Sequence, residues 1–111
     1  MDAAKQANAE QFLDACSHSK EFIFVSMMGE FKDYSQFEIY VKGLYVDLKS
    51  EDIAEGTETF SVITDSAVLW TYIGSNMVTD KKGNQTPIRP YGLTMLVKKE
   101  NGKWKTFYIH T

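Results

Sequence analysis

The sequence predicts an α+β fold in which helices come first and a long antiparallel meander follows. Apolar residues recur with helical spacing before residue 50 and in strand-like runs after Asp52. Asn101-Gly102 separates two of these runs and indicates a tight hairpin, because both central residues of a type I′ turn need positive φ. The chain has no repeat, linker or low-complexity tract, so we expect a single domain over residues 1–111.

The first helix is predicted from about Ala3 to Ser17, and a short strand, apolar on both faces, follows over residues 21–26. The second helix is predicted to begin at Ser35, where Glu38 completes a capping box. It is expected to end near Ser50, because one apolar stripe joins Phe37, Tyr40, Val41, Leu44 and Leu48.

Four strands are predicted after the second helix. They cover residues 53–64, 67–79, 85–99 and 104–111. The third should be bent or bulged near Pro87 and Pro90, where the backbone lacks N–H donors.

Pairing across the Asn101-Gly102 turn places residues of neighbouring strands on shared faces. A four-residue loop at 81–84 would align Tyr91 with Gly74, and a loop one residue longer would reverse the faces. One predicted face carries rings with polar tips and should form a ligand pocket under the helices. Its candidate ligand-binding residues are Trp70, Tyr72, Arg89, Tyr91, Trp104 and Tyr108, with His110 beside them and Asn76 on the same face. Arg89 could bind a carboxylate, or simply be a surface residue beside Pro90.

The opposite face is plainly apolar and would need a covering partner. We therefore expect a homodimer formed through this outer face. The predicted interface includes Leu69, Thr71, Leu96, Phe107 and Ile109.

Composition narrows the possible partners. Net charge is −3, which gives no electrostatic support for nucleic acid or an anionic membrane. Cys16 is the single cysteine, and it excludes an internal disulfide. The two His residues lack metal-site spacing, so we expect no metal and no cofactor. The N-terminus is unlike a signal peptide, which favours a cytoplasmic protein, or an exported one if a leader has been removed.

The strand from Leu93 to Gly102 and the terminal Gly102-Lys103-Trp104 to His110 segment carry a family resemblance, together with residues 21–29. They resemble the nuclear transport factor 2-like superfamily, most closely its small SnoaL-like, ketosteroid-isomerase-related branch. The resemblance implies a cone-like, cystatin-like fold, with a curved antiparallel sheet packed by two or three N-terminal helices. It also implies an interior pocket and frequent homodimers.

His110 is the catalytic candidate, because an imidazole can donate or accept a proton near pH 7. The alternative is a structural histidine that locks the end of the sheet. Isomerases of the superfamily use an Asp base, and no Asp lies mid-strand on the ring-rich face. The predicted function is therefore a homodimeric SnoaL-like pocket protein that binds a small, partly apolar ligand. The alternatives are an isomerase or dehydratase that uses His110 with a helix carboxylate, and an oligomerisation or association module.

Overall fold

The computed structural model describes residues 8–111, without the side chains of residues 52–55. It confirms the α+β order. The elements are α1 (Ala9–Asp14), β1 (Ile23–Val25), β2 (Phe31–Lys32), α2 (Tyr34–Tyr45), β3 (Leu48–Thr64), β4 (Ala67–Asp80), β5 (Gln85–Glu100) and β6 (Lys103–His110). The predicted start of the first helix at Ala3 lies outside the described residues.

The N-terminus of α2 lies two residues earlier than predicted. Asp33, rather than Ser35, is the N-cap, and its carboxylate accepts a hydrogen bond from the Gln36 backbone N–H at 2.9 Å. The Gln36 side chain accepts from the Asp33 N–H at 3.0 Å, which completes the capping box. The helix also ends earlier than predicted, because Leu48 already pairs with Asp80 as the first residue of β3.

The six strands form one sheet in the order β2-β1-β6-β5-β4-β3. The meander from β3 to β6 is antiparallel as predicted, and β1 joins β6 in parallel, so the sheet is mixed. The last hairpin has the expected turn, with φ of 53° at Asn101 and 79° at Gly102.

Two β-bulges decide which side chains face the helices. In β6, Thr106 pairs with Val97 but Tyr108 pairs with Leu96, so Phe107 is an extra residue. Beyond it every β6 side chain changes face, because side chains alternate with a period of two. Ile109 therefore turns towards the helices, and Tyr108 and His110 turn to the outer face.

The second bulge lies in β5 beside Pro90, where the sequence predicts an irregularity. Tyr91 pairs with Gly74 as expected, but Ile88 rather than Arg89 pairs with Asn76. The predicted register is therefore right from Tyr91 to Val97 and wrong for Arg89.

The core lies between the helices and one face of the sheet. Phe37 of α2 packs on Phe22 and Phe24, with ring centroids 5.0 and 4.8 Å apart. Cys16 is buried after α1, and burial raises the pKa of its thiol to about 12, so the thiol stays protonated and unreactive. Phe24 and Phe37 of this aromatic cluster also line a cavity under α2.

Candidate functional site

A cavity of about 430 Å³ lies between α2 and the helix-covered face of the sheet. Most of the side chains around it are aliphatic or aromatic. The lining residues are Phe12, Phe24, Met27, Phe37, Tyr40, Val41, Leu44, Tyr45, Leu48, Glu51, Asn76, Val78, Thr86, Ile88, Tyr91, Leu93, Met95, Ile109 and Thr111. Ionisable and amide groups among them are few, so those groups would decide how a ligand is oriented.

Glu51 is the carboxylate among the described lining residues of the cavity. It lies on β3 opposite Val78 of β4, and both side chains line the cavity. Burial raises the pKa of Glu51, and a hydrogen bond from the Asn76 amide, with Nδ2 3.4 Å from Oε1, partly offsets that rise. Glu51 can therefore hold a proton at a higher pH than an exposed glutamate.

Asn76 is the most deeply buried polar residue of the cavity, with 2% of its surface exposed. Its Nδ2 donates to Glu51, and no donor among the described residues reaches its Oδ1. A buried acceptor without a donor costs roughly 1–3 kcal/mol. The wall of the cavity thus holds an unpartnered acceptor, which is itself shielded from solvent.

The phenols of Tyr45 and Tyr91 lie close enough to Glu51 for its charge to raise their pKa values. Burial, and then the Glu51 carboxylate, raise the pKa of Tyr91 to about 12. The same two causes raise the pKa of Tyr45. Both hydroxyls therefore stay protonated at ordinary pH. The resulting group of a carboxyl, an amide and two phenols can hold the polar end of an apolar molecule or exchange a proton with it.

Among the predicted ligand-binding residues, Tyr91 lines the cavity and Tyr72 is buried beside it. The two rings are 6.3 Å apart, and the Tyr72 hydroxyl donates to the Ser75 carbonyl at 3.0 Å. Tyr72 is part of the core and is not a lining residue. Arg89 is exposed and outside the lining, because the bulge beside Pro90 gives its place to Ile88.

Trp70 and Trp104 lie on the predicted face but at another position along it. They border an open depression with Phe60, Val68 and Val97. The Trp70 indole N–H donates to Glu58 at 2.7 Å. Strand alternation assigns the residues of this depression and those of the cavity to the same face of the sheet. It does not show which part of that face α2 covers, so the sequence predicted a single site.

Tyr108 and His110 lie on the outer face, so their predicted placement on the cavity wall is wrong. The bulge at Phe107 is the physical reason. The His110 imidazole is exposed, with its Nδ1 3.4 Å from the Tyr108 hydroxyl oxygen. Two residues of the predicted dimer surface, Phe107 and Ile109, are buried within the monomer. The same bulge is the reason that Ile109 faces the core. Leu69, Thr71 and Leu96 do lie on the outer face, as predicted.

Sequence reasoning missed Glu51 because the apolar stripe carried the predicted second helix as far as Ser50. The available signal was Asn76, which the predicted register correctly placed on the helix-covered face. A carboxylate at the start of the neighbouring strand was a natural candidate for its partner.

The described side chains contain no group of three His, Cys, Asp or Glu residues placed to hold a metal ion. No helix in the described part of the chain has the length and apolar character needed to cross a membrane.

Comparisons with known proteins identify the fold. No protein-family model matches the sequence, and no curated protein matches it. A candidate dehydratase of the nuclear transport factor 2-like family from Streptomyces avermitilis superposes with a TM-score of 0.80 at 11% identity, over 98% of this chain and 83% of that one. A nuclear transport factor 2-like superfamily protein from Salmonella enterica gives 0.77 at 13% identity, over 98% and 79%.

A third similar structure is a candidate calcium/calmodulin-dependent protein kinase II association domain from Xanthomonas campestris. It superposes with a TM-score of 0.72 at 19% identity, over 98% of this chain and 76% of that one. The chain therefore has the nuclear transport factor 2-like fold, and the resemblance seen in its terminal motifs is confirmed at the level of the fold.

Proposed function

We propose that this protein binds a small, mainly apolar molecule in the cavity between α2 and the sheet. The observation that carries the proposal is the cavity itself, with a volume of about 430 Å³ and one polar group of side chains in an apolar lining. Ligand pockets typically measure roughly 300–1,000 Å³ and combine an apolar lining with a few convergent polar groups. Glu51, Asn76, Tyr45 and Tyr91 would be those polar groups.

A fluorescence titration with N-phenyl-1-naphthylamine, which becomes bright in apolar surroundings, tests this proposal. Ile88→Trp puts a large ring into the cavity lining and should abolish the signal. Ile39→Trp is the matched control, because Ile39 is 74% exposed and lies outside the lining. Equal binding by both variants, or no binding by the unmodified protein, would refute the proposal.

Proton transfer in an isomerase or dehydratase reaction is the second candidate function. Glu51, rather than His110, would be the proton acceptor, because its pKa is raised and two protonated phenols lie near it. The similarity to a candidate dehydratase is compatible with this chemistry. Positioned general bases contribute roughly 10²- to 10⁴-fold to rates.

An assay of this second function that does not require the natural substrate uses 5-nitrobenzisoxazole. This compound opens to a coloured phenolate when a base removes its C3 proton. Glu51→Gln should lower the rate by about 10²-fold or more. Glu30→Gln, which alters an exposed glutamate outside the cavity lining, should leave the rate unchanged. Unchanged turnover in Glu51→Gln would exclude Glu51 as a base.

We further propose that the protein forms a homodimer through the outer face of its sheet. Leu69 and Leu96 are paired neighbours on this face, and Ile73 is 62% exposed there. The similarity to an association domain supports self-association. Leu69→Lys should convert a dimer to a monomer in light scattering, whereas Ile39→Lys on the exposed side of α2 should not. A monomeric unmodified protein at micromolar concentration would refute this proposal.

A further inference from the structure

The charge of the cavity favours one class of ligand. Glu51 is the carboxylate of the lining, and no Lys, Arg or His is among the described lining residues. The Lys32 ammonium lies 5.4 Å from the centre of the Tyr40 ring, but Lys32 is outside the lining. An anionic ligand would therefore meet a like charge without a counter-charge. A neutral ligand would leave a partly buried carboxylate uncompensated, which is costly.

The hydrogen-bonding groups point to a ligand that donates. Asn76 Oδ1 is a buried acceptor without a described donor, and the Glu51 carboxylate beside it is also an acceptor. An alcohol has one O–H to donate, whereas a protonated primary amine has three N–H groups. A primary ammonium could satisfy both acceptors at once and still donate to a phenol oxygen of Tyr45 or Tyr91.

The rings around these acceptors would also favour a cation. Tyr40, Tyr45 and Tyr91 line the same cavity as Glu51. A cation within about 6 Å of an aromatic ring face is attracted by the ring quadrupole, and more strongly where water is excluded. The remaining aliphatic and Phe lining would cover the hydrocarbon part of the molecule.

We propose that the cavity binds a small primary or secondary amine with an apolar body, whose ammonium group donates to the Glu51 carboxylate and to Asn76 Oδ1. This inference rests on the proposed binding function and specifies its ligand class. A buried charged hydrogen bond of this kind strengthens binding by about tenfold or more. Glu51 is then the counter-ion of the ligand.

The test uses three molecules of similar shape and different charge. They are 2-phenylethylamine, 2-phenylethanol and 3-phenylpropanoate, titrated at pH 7.5 and followed by the backbone amide NMR signals. The amine should bind at least about tenfold more tightly than either of the others, with shifts around the cavity. In Glu51→Gln this preference should disappear, with the affinity for the alcohol changed less than about threefold. Glu30→Gln should behave like the unmodified protein.

Asn76→Leu provides a second, independent variant in case Glu51→Gln does not fold. It removes the unpartnered acceptor and should also reduce the preference for the amine. Equal affinity for amine and alcohol, or amine shifts away from the cavity, would overturn the amine inference and leave the pocket proposal intact. The same holds if none of the three molecules binds while N-phenyl-1-naphthylamine does. Failure of all four would overturn both proposals.

Discussion

Replacing Asn76 by leucine should stabilise this protein, although the residue is buried in a hydrogen-bonded position. Asn76 is 2% exposed, and its Oδ1 has no donor among the described residues. Removing an unsatisfied buried acceptor recovers roughly 1–3 kcal/mol. The substitution also deletes the bond from Nδ2 to Glu51, which at 3.4 Å is long and contributes about 1 kcal/mol or less while Glu51 is protonated.

The expected net gain for Asn76→Leu is therefore about 1 kcal/mol at mildly acidic pH. The gain should shrink as pH rises, because hydrogen bonds to a charged carboxylate contribute more, roughly 1.5–3 kcal/mol. Urea unfolding followed by circular dichroism, at about pH 4.5 and about pH 8, measures both values. A gain of this size would raise the melting temperature by roughly 4 °C in a domain of this length.

Ser26→Ala is the control, because Ser26 is also buried but its hydroxyl oxygen is satisfied. It accepts from the backbone N–H groups of Met28 and Glu30, both at 3.2 Å. Its removal should destabilise the protein by about 1 kcal/mol or more. The reasoning fails if Asn76→Leu is destabilised by more than about 1 kcal/mol at the acidic pH, because Oδ1 must then have a good donor in the folded protein.

Three further predictions concern packing and charge. Phe37→Ala should lose about 3–5 kcal/mol in urea unfolding, because Phe37 is 2% exposed in the centre of the ring cluster; a loss below about 1 kcal/mol would contradict this packing. Gly56→Ala should unfold at a lower temperature, because a Cβ there would lie 2.6 Å from Tyr72 Cζ. Gly92→Ala is the control, because a Cβ at Gly92 meets no atom within 4 Å and should leave the melting temperature nearly unchanged. Burial raises the folded-state pKa of Glu51. The protonated carboxyl therefore contributes fully to the free energy of unfolding below the pKa of Glu51 in the unfolded chain, and this contribution is lost as pH rises through the folded-state pKa. Glu51→Gln should therefore become more stable relative to the unmodified protein over that interval, by at most about 1.4 kcal/mol per pH unit, and a difference independent of pH would refute the burial of this carboxyl.

The sequence predicted the parts of the fold that depend on local chemistry. Asn101-Gly102 specified the last hairpin through positive φ, and the periodicity of Phe37 and Val41 indicated α2. Alignment of Tyr91 with Gly74 placed Tyr72 and Asn76 correctly on the helix-covered face. These features are determined by residues that are close in sequence or that belong to a single hairpin.

The features that the sequence did not predict depend on tertiary contacts. A single extra residue at Phe107 moved His110 to the outer face and Ile109 into the core, and strand alternation alone contains no signal for that bulge. The end of α2 was misplaced because Leu48 continues the helical stripe, yet it pairs with Asp80 in the sheet. This early start of β3 is what brings Glu51 into the cavity.

NMR mapping of a bound neutral probe distinguishes the cavity from the sequence-predicted site, because all predicted site residues except Tyr91 lie outside the cavity lining. With 2-phenylethanol, we predict that the largest changes occur at the Asn76 side-chain amide and at the backbone amides of Glu51 and Ile88. Changes concentrated instead at the indole N–H groups of Trp70 and Trp104 and at His110 would contradict the account. The ligand site would then be on the surface of the sheet and not under α2.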